Sequence, residues 1–296
     1  INALLKNRYP VINLKQAMDL LDKKSLPSCP VVITFDDGFQ TIDKYAIPIL
    51  RQNGLPSTIF VTSYYCINPH PVFRLVVQYM LWKTSYEQVD LTGMGLPLSG
   101  RKPLRNIEHR NKIAWQIIDY AETELEENDR HHMALELGAR LGLPYRDIAE
   151  SGALSIMNAG EIESLSTDGV DIQLHTHRHH FPEDPISGKR EISDNRSILE
   201  PLVGKGLNHF CYPSGLWSEN HFSILREERV ECAVTCDTGF NYPDTPRLAL
   251  RRFLDGQHIS SIEFEAELSG LMEIMRKLRS KGQSLFRKFN RGCLLL

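Results

Sequence analysis

The stretch VVITFDDGFQ, Val31–Gln40, places two adjacent carboxylates at the end of a short apolar run. This run is rich in β-branched residues and is bounded by Pro30 and Gly38, which predicts a buried strand of a parallel sheet. Asp36 and Asp37 then stand where the strand leaves the core, at the edge where α/β sheets carry their chemistry. One aspartate before a helix is explained as an N-cap, but two adjacent like charges resist joint ionisation and favour a bound cation.

The composition is that of a globular protein with a sizeable core, because 42% of the 296 residues are hydrophobic and 24% are charged. The net charge is -3, which argues against a nucleic-acid partner. No apolar run approaches the roughly 18–20 residues that cross a bilayer, so no transmembrane segment is predicted. The oligomeric state is left open by these properties.

The six cysteines are scattered and none has zinc-type C-x-x-C spacing, which favours free thiols and a cytoplasmic location. The chain begins at Ile1 rather than Met, so a segment upstream would leave a periplasmic or extracellular location open. The terminal CLLL, which begins at Cys293, imitates a prenylation box, but a short apolar tail is the simpler interpretation.

Strand and helix signals alternate along the chain and predict βα units around a mainly parallel sheet. Strands are predicted near residues 31–35, 57–63, 170–175, 209–213 and 231–237, and helices near 41–52, 158–167, 189–203, 219–229 and 262–278. The rhythm stops at about 64–155, where no strand pattern is evident and residues 106–143 predict one or two amphipathic helices. We interpret this as a helical insertion in a single domain, 1–296, that ends in a basic tail at about 280–296.

A second polar cluster, QLHTHRHH, closes the predicted strand that begins at Val170. His175 and His179 are four residues apart, so two imidazoles can converge on one ion if the chain turns there. Two imidazoles and one carboxylate form a three-ligand set with an open position, which is typical of catalytic zinc sites. A surface cluster of histidines is the alternative.

Three motifs together resemble those of the polysaccharide deacetylases, the carbohydrate esterases that share the NodB homology domain. They are TFDDG at Thr34–Gly38, HTHRH at His175–His179 and FCYPSG at Phe210–Gly215. The resemblance covers about residues 30–253. It implies a distorted (β/α)7 barrel, here with a mainly helical insertion, and metal-dependent removal of acetyl groups from N-acetylated sugars.

The resemblance also implies a role for each matching residue. Asp37, His175 and His179 would hold a divalent metal ion, most simply Zn, with Co, Ni or Mn as alternatives. Asp36 would be the general base that takes a proton from water. Ser214 would offer its backbone N–H to the oxyanion of the tetrahedral intermediate.

Two departures from the family pattern concern catalytic roles. Cys211 stands where family members carry an arginine that holds the catalytic carboxylate, and Arg251 or Arg252 could replace that arginine. Adjacent residues of a strand point in opposite directions, so only one of the two can face the site. The late histidine that protonates the leaving amine is not evident, and His258 is the candidate for it in this chain.

These observations predict a hydrolase that removes N-acetyl groups from N-acetylhexosamine residues of a bacterial glycan or its precursor. Two alternatives remain open. One is a metal-dependent deacylase of a small non-sugar amide. The other is a non-catalytic carbohydrate-binding relative, which the loss of the arginine and of a clear acid would explain.

Overall fold

The computed structural model describes residues 1–280, so the predicted basic tail and Cys293 lie outside the described residues. In chain order the strands are β1 (Ile33–Phe35), β2 (Ser57–Val61), β3 (Gln88–Asp90), β4 (Arg101–Pro103), β5 (Asp171–Leu174), β6 (His209–Cys211) and β7 (Cys232–Val234). The α-helices are α1 (Asn2–Lys6), α2 (Leu14–Asp22), α3 (Ile47–Gln52), α4 (Tyr64–Ile67), α5 (Phe73–Lys83), α6 (Ile107–Glu124), α7 (Glu127–Arg140), α8 (Tyr145–Ser151), α9 (Ala159–Thr167), α10 (Pro185–Val203), α11 (His221–Glu227), α12 (Ser261–Leu268) and α13 (Leu271–Ser280). A π-helical turn, Ile42–Ala46, precedes α3, and a 3-10 turn, Pro213–Gly215, follows β6.

The chain divides into two compact units, of which the first contains residues 1–38, 42–64 and 159–280 of the described part. Its five strands form a parallel sheet in the order β1-β2-β5-β6-β7. Single-residue parallel bridges, Val11 to Val31 and Val234 to Leu250, extend the sheet at its two ends to seven strand positions. The sheet curls into a half-barrel, which confirms the prediction of an α/β fold of the (β/α)7 type.

One face of this sheet is closed by α2, a helix that the sequence analysis did not predict. Asn13 caps α2 by accepting a hydrogen bond from the backbone N–H of Gln16. The apolar face of the helix then packs on sheet residues of the same cluster, and the buried members are Leu14, Ala17, Met18, Leu21, Val32, Phe60, Cys211, Cys232, Val234 and Leu250. The contact between α2 and the sheet is therefore apolar.

The second unit contains Phe39–Thr41 and Tyr65–Asn158 and has its own apolar core. The predicted pair of helices in residues 106–143 is present as α6 and α7. The expectation that this region lacks strands is wrong, because β3 and β4 form an antiparallel hairpin. Each of these strands has three residues, too few to show the alternation by which a strand is recognised in a sequence.

Three further features concern the last predicted helix, membrane spans and the cysteines. The single helix predicted at 262–278 is two helices, α12 and α13, separated at Gly270, whose φ of 78° is left-handed. No described helix combines the length and the apolar composition that a membrane span requires. Among the described residues, Cys211, Cys232 and Cys236 are free thiols.

Candidate metal centre and catalytic carboxylate

The predicted site residues follow the ends of neighbouring parallel strands. Asp36 and Asp37 follow β1, and His175 follows β5. Both strands are paired with β2, so their carboxyl ends meet at one edge of the sheet. Gly38 has a φ of 85°, and a Cβ at this position would lie 3.0 Å from Cγ1 of Val61. A glycine is required there for the chain to turn closely over β2.

Three residues of the two motifs adopt left-handed backbone conformations. The φ values are 67° at Asp37, 63° at Thr176 and 56° at His179. Such conformations are uncommon for residues other than glycine and concentrate at functional sites. The backbone N–H of Thr62 donates to the carbonyl oxygen of Asp37 at 3.2 Å, which fixes the first of these turns to β2.

Asp37, His175 and His179 converge as the three-ligand hypothesis expects. Oδ1 of Asp37 lies 3.1 Å from Nε2 of His175 and 3.1 Å from Nε2 of His179. All three candidate ligand atoms lie within 4.8 Å of one another. Ligand atoms of a tetrahedral zinc site are about 3.3 Å apart, given Zn–N and Zn–O bonds of about 2.0–2.1 Å. The spacing of these atoms therefore suits a small divalent cation.

The hydrogen bonds of His175 provide a chemical test of that fit. Its Nδ1 donates to the carbonyl oxygen of Cys211 at 2.8 Å, so the proton of a neutral ring lies on Nδ1 and Nε2 carries a lone pair. That lone pair faces the carboxylate of Asp37, and two acceptors at 3.1 Å require a cation between them. A metal ion or a proton on Nε2 satisfies this requirement, and the nitrogen and oxygen donor set suits zinc.

The charges at the centre lower the pKa of Asp37 and raise the pKa of His175. Burial raises the pKa of Asp37, but the hydrogen bonds and charges of the two imidazoles outweigh it and hold the pKa far below its usual range. Burial lowers the pKa of His175, but Cys211 and Asp37 outweigh it and raise the pKa well above its usual value. The site thus keeps an ionised carboxylate and attracts positive charge.

Asn195 of α10 fixes the segment that carries His175, a role that the sequence analysis missed. Its Oδ1 accepts from the backbone N–H of His175 at 3.0 Å. Its Nδ2 donates to the carbonyl oxygen of Val61 at 3.0 Å and to Oγ of Ser63 at 2.9 Å. Asn195 is fully buried, so these bonds tie α10, β2 and β5 together beneath the ligands. A lone asparagine in a helix twenty residues after His175 gives no local signal of this role.

Asp36 forms a two-pronged contact with one arginine, Arg252. Nη1 of Arg252 donates to Oδ1 of Asp36 at 2.6 Å, and Nη2 donates to Oδ2 at 2.8 Å. Burial raises the pKa of Asp36, but the hydrogen bonds and charge of Arg252 outweigh it and lower the pKa. Arg252 is buried, whereas the side chain of Asp36 keeps 30% of its exposure and stays within reach of a substrate.

Of the two arginines that the sequence leaves open, Arg252 contacts Asp36 and Arg251 does not. Nε of Arg252 donates to the carbonyl oxygen of Thr235 at 2.8 Å, and Nη2 lies 3.3 Å from Sγ of Cys211. Cys211 thus leaves room for a guanidinium that reaches Asp36 from the strand position beyond β7. Arg251 is exposed on the opposite side of the segment, because adjacent residues of an extended chain alternate in direction.

The other two expected catalytic residues lie in turns. Ser214 is exposed in the 3-10 turn after β6 and has a φ of 56°. The role of its backbone N–H toward an oxyanion stays a prediction. His258 is exposed in the turn before α12. In the part of the chain that the structure describes, it makes no hydrogen bond or ion pair with Asp36 or the three candidate ligands. The role of His258 as the acid stays a prediction.

The other two histidines of the second motif are not part of the candidate ligand set. His177 is buried and its Nδ1 lies 2.9 Å from Oγ of Ser63, whereas His180 is exposed. The left-handed backbone conformations of Thr176 and His179 break the strand alternation, so His177 does not follow the two imidazoles that converge on Asp37.

The polysaccharide deacetylase family model matches residues 23–82 and 148–233 of the chain. Both matched stretches carry the motifs of the centre, and the stretch between them falls in the second unit. The chain belongs to the polysaccharide deacetylase family. No curated protein has a sequence that matches it.

Solved deacetylases share the fold. The deacetylase PplD of Streptococcus pyogenes, in complex with acetate, has a TM-score of 0.57 and 14% identity over 90% of this chain and 83% of its own. A de-N-acetylase from Aggregatibacter actinomycetemcomitans has a TM-score of 0.54 and 14% identity over 90% of this chain and 86% of its own. IcaB from Ammonifex degensii has a TM-score of 0.54 and 15% identity over 90% and 85% of the two chains. At these identities the likeness defines the fold.

Proposed function

We propose that this deacetylase-family protein is a metal-dependent hydrolase that removes N-acetyl groups from N-acetylhexosamine residues of a bacterial glycan or its precursor. The observation that carries the proposal is the convergence of one carboxylate oxygen and two imidazole nitrogens on one point. The names of two structural relatives, a de-N-acetylase and a deacetylase with bound acetate, support an acetyl group as the part that is removed.

The metal ligands are Asp37, His175 and His179, and zinc is the cation that best suits two imidazoles and one carboxylate. When bound there, the cation supplies Lewis-acid polarisation of the acetyl carbonyl. The hydrogen bond from His175 to the carbonyl oxygen of Cys211 fixes the ring tautomer and orientation, which holds Nε2 toward the cation.

Asp36 is the general base in this proposal. A carboxylate offers about four lone-pair sites, and the two N–H groups of Arg252 occupy two of them, so Asp36 keeps sites that can accept a proton from the attacking water. The water oxygen forms a bond to the acetyl carbon, and the oxyanion accepts a hydrogen bond from the backbone N–H of Ser214. Cleavage of the C–N bond releases acetate and an amine that takes up a proton.

Acetate release from chitin oligomers tests this proposal. The wild type is compared with Asp36→Asn in the presence of Zn2+ or Co2+, with Asp19→Asn on the exposed face of α2 as the matched control. We expect Asp36→Asn to lose about 10²–10⁴-fold in rate, the usual contribution of a general base, and to keep its metal affinity. Equal rates of the wild type and Asp36→Asn would contradict the assignment of the base.

One observation favours a second candidate, a carbohydrate-binding protein without turnover. Apart from His175 and His179, no histidine of the described chain makes a hydrogen bond or ion pair to Asp36 or Asp37, so an acid for the leaving amine is not evident. Binding of chitin oligomers in the presence of metal without acetate release would support this candidate. Measurable acetate release that disappears with EDTA would exclude it.

The metal-dependent deacylase of a small non-sugar amide is a substrate variant of the same proposal. It uses the same ligands and the same base, and differs only in the group that carries the acyl amide. Acetate release from N-acetylated small amines at a higher kcat/KM than from chitin oligomers would favour it.

A further inference from the structure

The second unit contains a groove that the proposed reaction does not use. Its walls are the segment between α5 and β3, with Tyr86 and Glu87, and the β3–β4 hairpin with the segment that follows it. The volume is about 640 Å³, within the range of about 300–1,000 Å³ that is typical of small-ligand sites. The lining residues are Tyr86, Glu87, Gln88, Arg101, Lys102, Pro103 and Arg105.

The lining is positively charged although the chain as a whole is negative. Arg101, Lys102 and Arg105 contribute three cationic groups and Glu87 contributes one carboxylate, so the formal charge of the lining is 3 − 1 = +2. The formal net charge of the chain is -3. A concave cationic surface of this kind concentrates anions from solution.

The cations of the groove differ from the other arginines of the second unit in lacking partners. Arg74, Arg130, Arg140 and Arg146 each form an ion pair with a glutamate. Arg110 donates to backbone carbonyl groups. Within the described chain, the side chains of Arg101, Lys102 and Arg105 form no hydrogen bond and no ion pair.

Asp90 is the acidic residue paired with Arg101 in the register of the hairpin. Its Oδ1 accepts from the backbone N–H of Thr92 at 2.9 Å. The hydrogen bonds with Thr92 and the nearby charge of Arg101 lower the pKa of Asp90, but the two side chains form no ion pair. The guanidinium groups of the lining are therefore available for an external anion.

Arg110 holds both walls of the groove in place. Its Nε donates to the carbonyl oxygen of Leu104 at 2.8 Å, in the wall that follows β4. Its Nη1 donates to the carbonyl oxygens of Leu81 at 2.8 Å and Thr84 at 2.9 Å, at the end of α5 that leads into the other wall. The backbone N–H of Leu104 also donates to the carbonyl oxygen of Glu87 at 2.7 Å. The backbone beneath the cations is thus preorganised, which lowers the entropy cost of binding.

We propose that this groove binds a ligand that carries two or more oxyanion groups, as an oligophosphate or an acidic oligosaccharide does. Guanidinium groups match phosphate and carboxylate oxygens with two parallel hydrogen bonds. Two arginines and one lysine in one groove favour several anionic groups over a single one. Tyr86 and Gln88 add hydrogen-bonding groups for the uncharged part of the ligand. This site is independent of the proposed deacetylation.

Calorimetric titration of the full chain with tripolyphosphate and with trigalacturonate tests the proposal and separates the two sources of oxyanion groups. Chitotriose serves as a neutral probe of similar size to trigalacturonate. Each titration is carried out with EDTA in the buffer, so that no metal ion at the candidate centre can bind the anion. The affinity is measured at low and at high salt, because an interaction between exposed charges weakens as salt screens it.

The decisive comparison uses two triple variants with the same change in net charge. One is Arg101→Gln, Lys102→Gln, Arg105→Gln in the groove, and the control is Lys6→Gln, Lys23→Gln, Lys24→Gln at exposed positions of the first unit. We expect at least one of the two anions to bind the wild type. The affinity of the groove variant for that anion should be at least tenfold lower, and the affinity of the control variant should change less than twofold.

The proposal is overturned if neither anion binds the wild type, or if the two triple variants lose affinity equally. Should the groove variant fail to fold, the single substitutions Arg101→Gln and Arg105→Gln at exposed side chains replace it, with an expected loss of about threefold each. Unchanged affinity in both single variants would likewise overturn it.

Discussion

The two compact units of the chain bury different kinds of residue. In the second unit the buried core consists of aliphatic and aromatic side chains, and Thr84 is the one buried polar or charged residue among those described. The first unit buries a large set of polar and ionisable side chains, and His175, Asn195 and Arg252 at the candidate centre are among them.

This difference concerns the free-energy cost of burying polar side chains, which the first unit bears and the second unit largely avoids. A buried polar group costs free energy unless it is hydrogen-bonded, so a cluster of them persists only where its bonds are satisfied or where it has a function. The first unit satisfies this condition through Asn195 and Arg252, whose bonds end on strand carbonyls and on Asp36. The second unit has an ordinary apolar core, and its unpaired charges lie at the surface.

The largest expected effect comes from removing a candidate metal ligand in the first unit. We expect Asp37→Asn to reduce acetate release by about 10³-fold, equal to about 4 kcal/mol of transition-state stabilisation, because the cation loses its anionic ligand. Metal content after zinc loading, measured by elemental analysis, should fall in parallel, while Asp19→Asn should retain both. Full metal content in Asp37→Asn would show that the ion is held elsewhere.

The next effect separates the two adjacent arginines. We expect Arg252→Met to lower kcat/KM by about 10–100-fold, as is typical for the loss of a supporting partner in a metal site. Unfolding stability should fall by about 2–3 kcal/mol, less than for a fully buried pair because Asp36 keeps 30% exposure. Arg251→Met, at the exposed neighbour, should leave both quantities unchanged.

A double variant distinguishes positioning from structure. Adding Asp36→Asn to Arg252→Met removes the unpaired carboxylate, so stability should partly recover while activity stays low. Activity measured for Arg252→Lys should be intermediate, because one ammonium cannot replace the two-pronged contact. An Arg252→Met variant with wild-type kcat/KM would argue against the positioning role.

A smaller effect compares the two cores directly. Ile117 and Ile172 are both fully buried, the first in the second unit and the second in the first. We expect Ile117→Val and Ile172→Val each to cost about 0.5–1.5 kcal/mol in denaturant unfolding, since each removes one buried methyl group. Neither should change zinc affinity more than twofold. A large loss of zinc affinity in Ile117→Val would contradict the view that the core of the second unit does not affect the candidate metal centre.

The smallest effect is a pH dependence of the second unit. Burial raises the pKa of Tyr145 to about 12 from a model-compound value of 10.0. The contribution of its neutral phenol to stability is therefore complete below pH 10 and is lost as the pH rises through about 12. We expect a loss of about 0.5–1 kcal/mol by about pH 10.5 that is absent in Tyr145→Phe. Tyr45→Phe, at an exposed tyrosine, is the control, and equal pH profiles of all three proteins would contradict the expectation.

The sequence was sufficient to predict the strands that carry the centre and the residues placed at their ends. Strand ends of a parallel sheet meet at one edge, so Asp36, Asp37 and His175 could be brought together from their positions after apolar runs. The choice between Arg251 and Arg252 needed the register of the last sheet position. That register is fixed by non-local bonds such as the one from the N–H of Thr235 to the carbonyl oxygen of Leu250.

Other features had no local signal at all. Asn195 acts across α10, β2 and β5, so its role exists only in the folded arrangement. The β3–β4 hairpin is too short for a periodic pattern, and the position of His258 depends on how the chain turns before the capping box of Ser260 and Glu263. Tertiary contacts rather than residue preferences decide these features.

The two consecutive arginines after Leu250 also bear on how the centre tolerates insertions. Because side chains alternate along an extended segment, one extra residue between Leu250 and Arg251 would turn Arg252 outward and carry Arg251 into its place. The carboxylate of Asp36 would then still meet a guanidinium. Two adjacent arginines thus provide a second guanidinium that can replace the first. The segment next to the centre can then gain one residue while Asp36 keeps a positively charged partner.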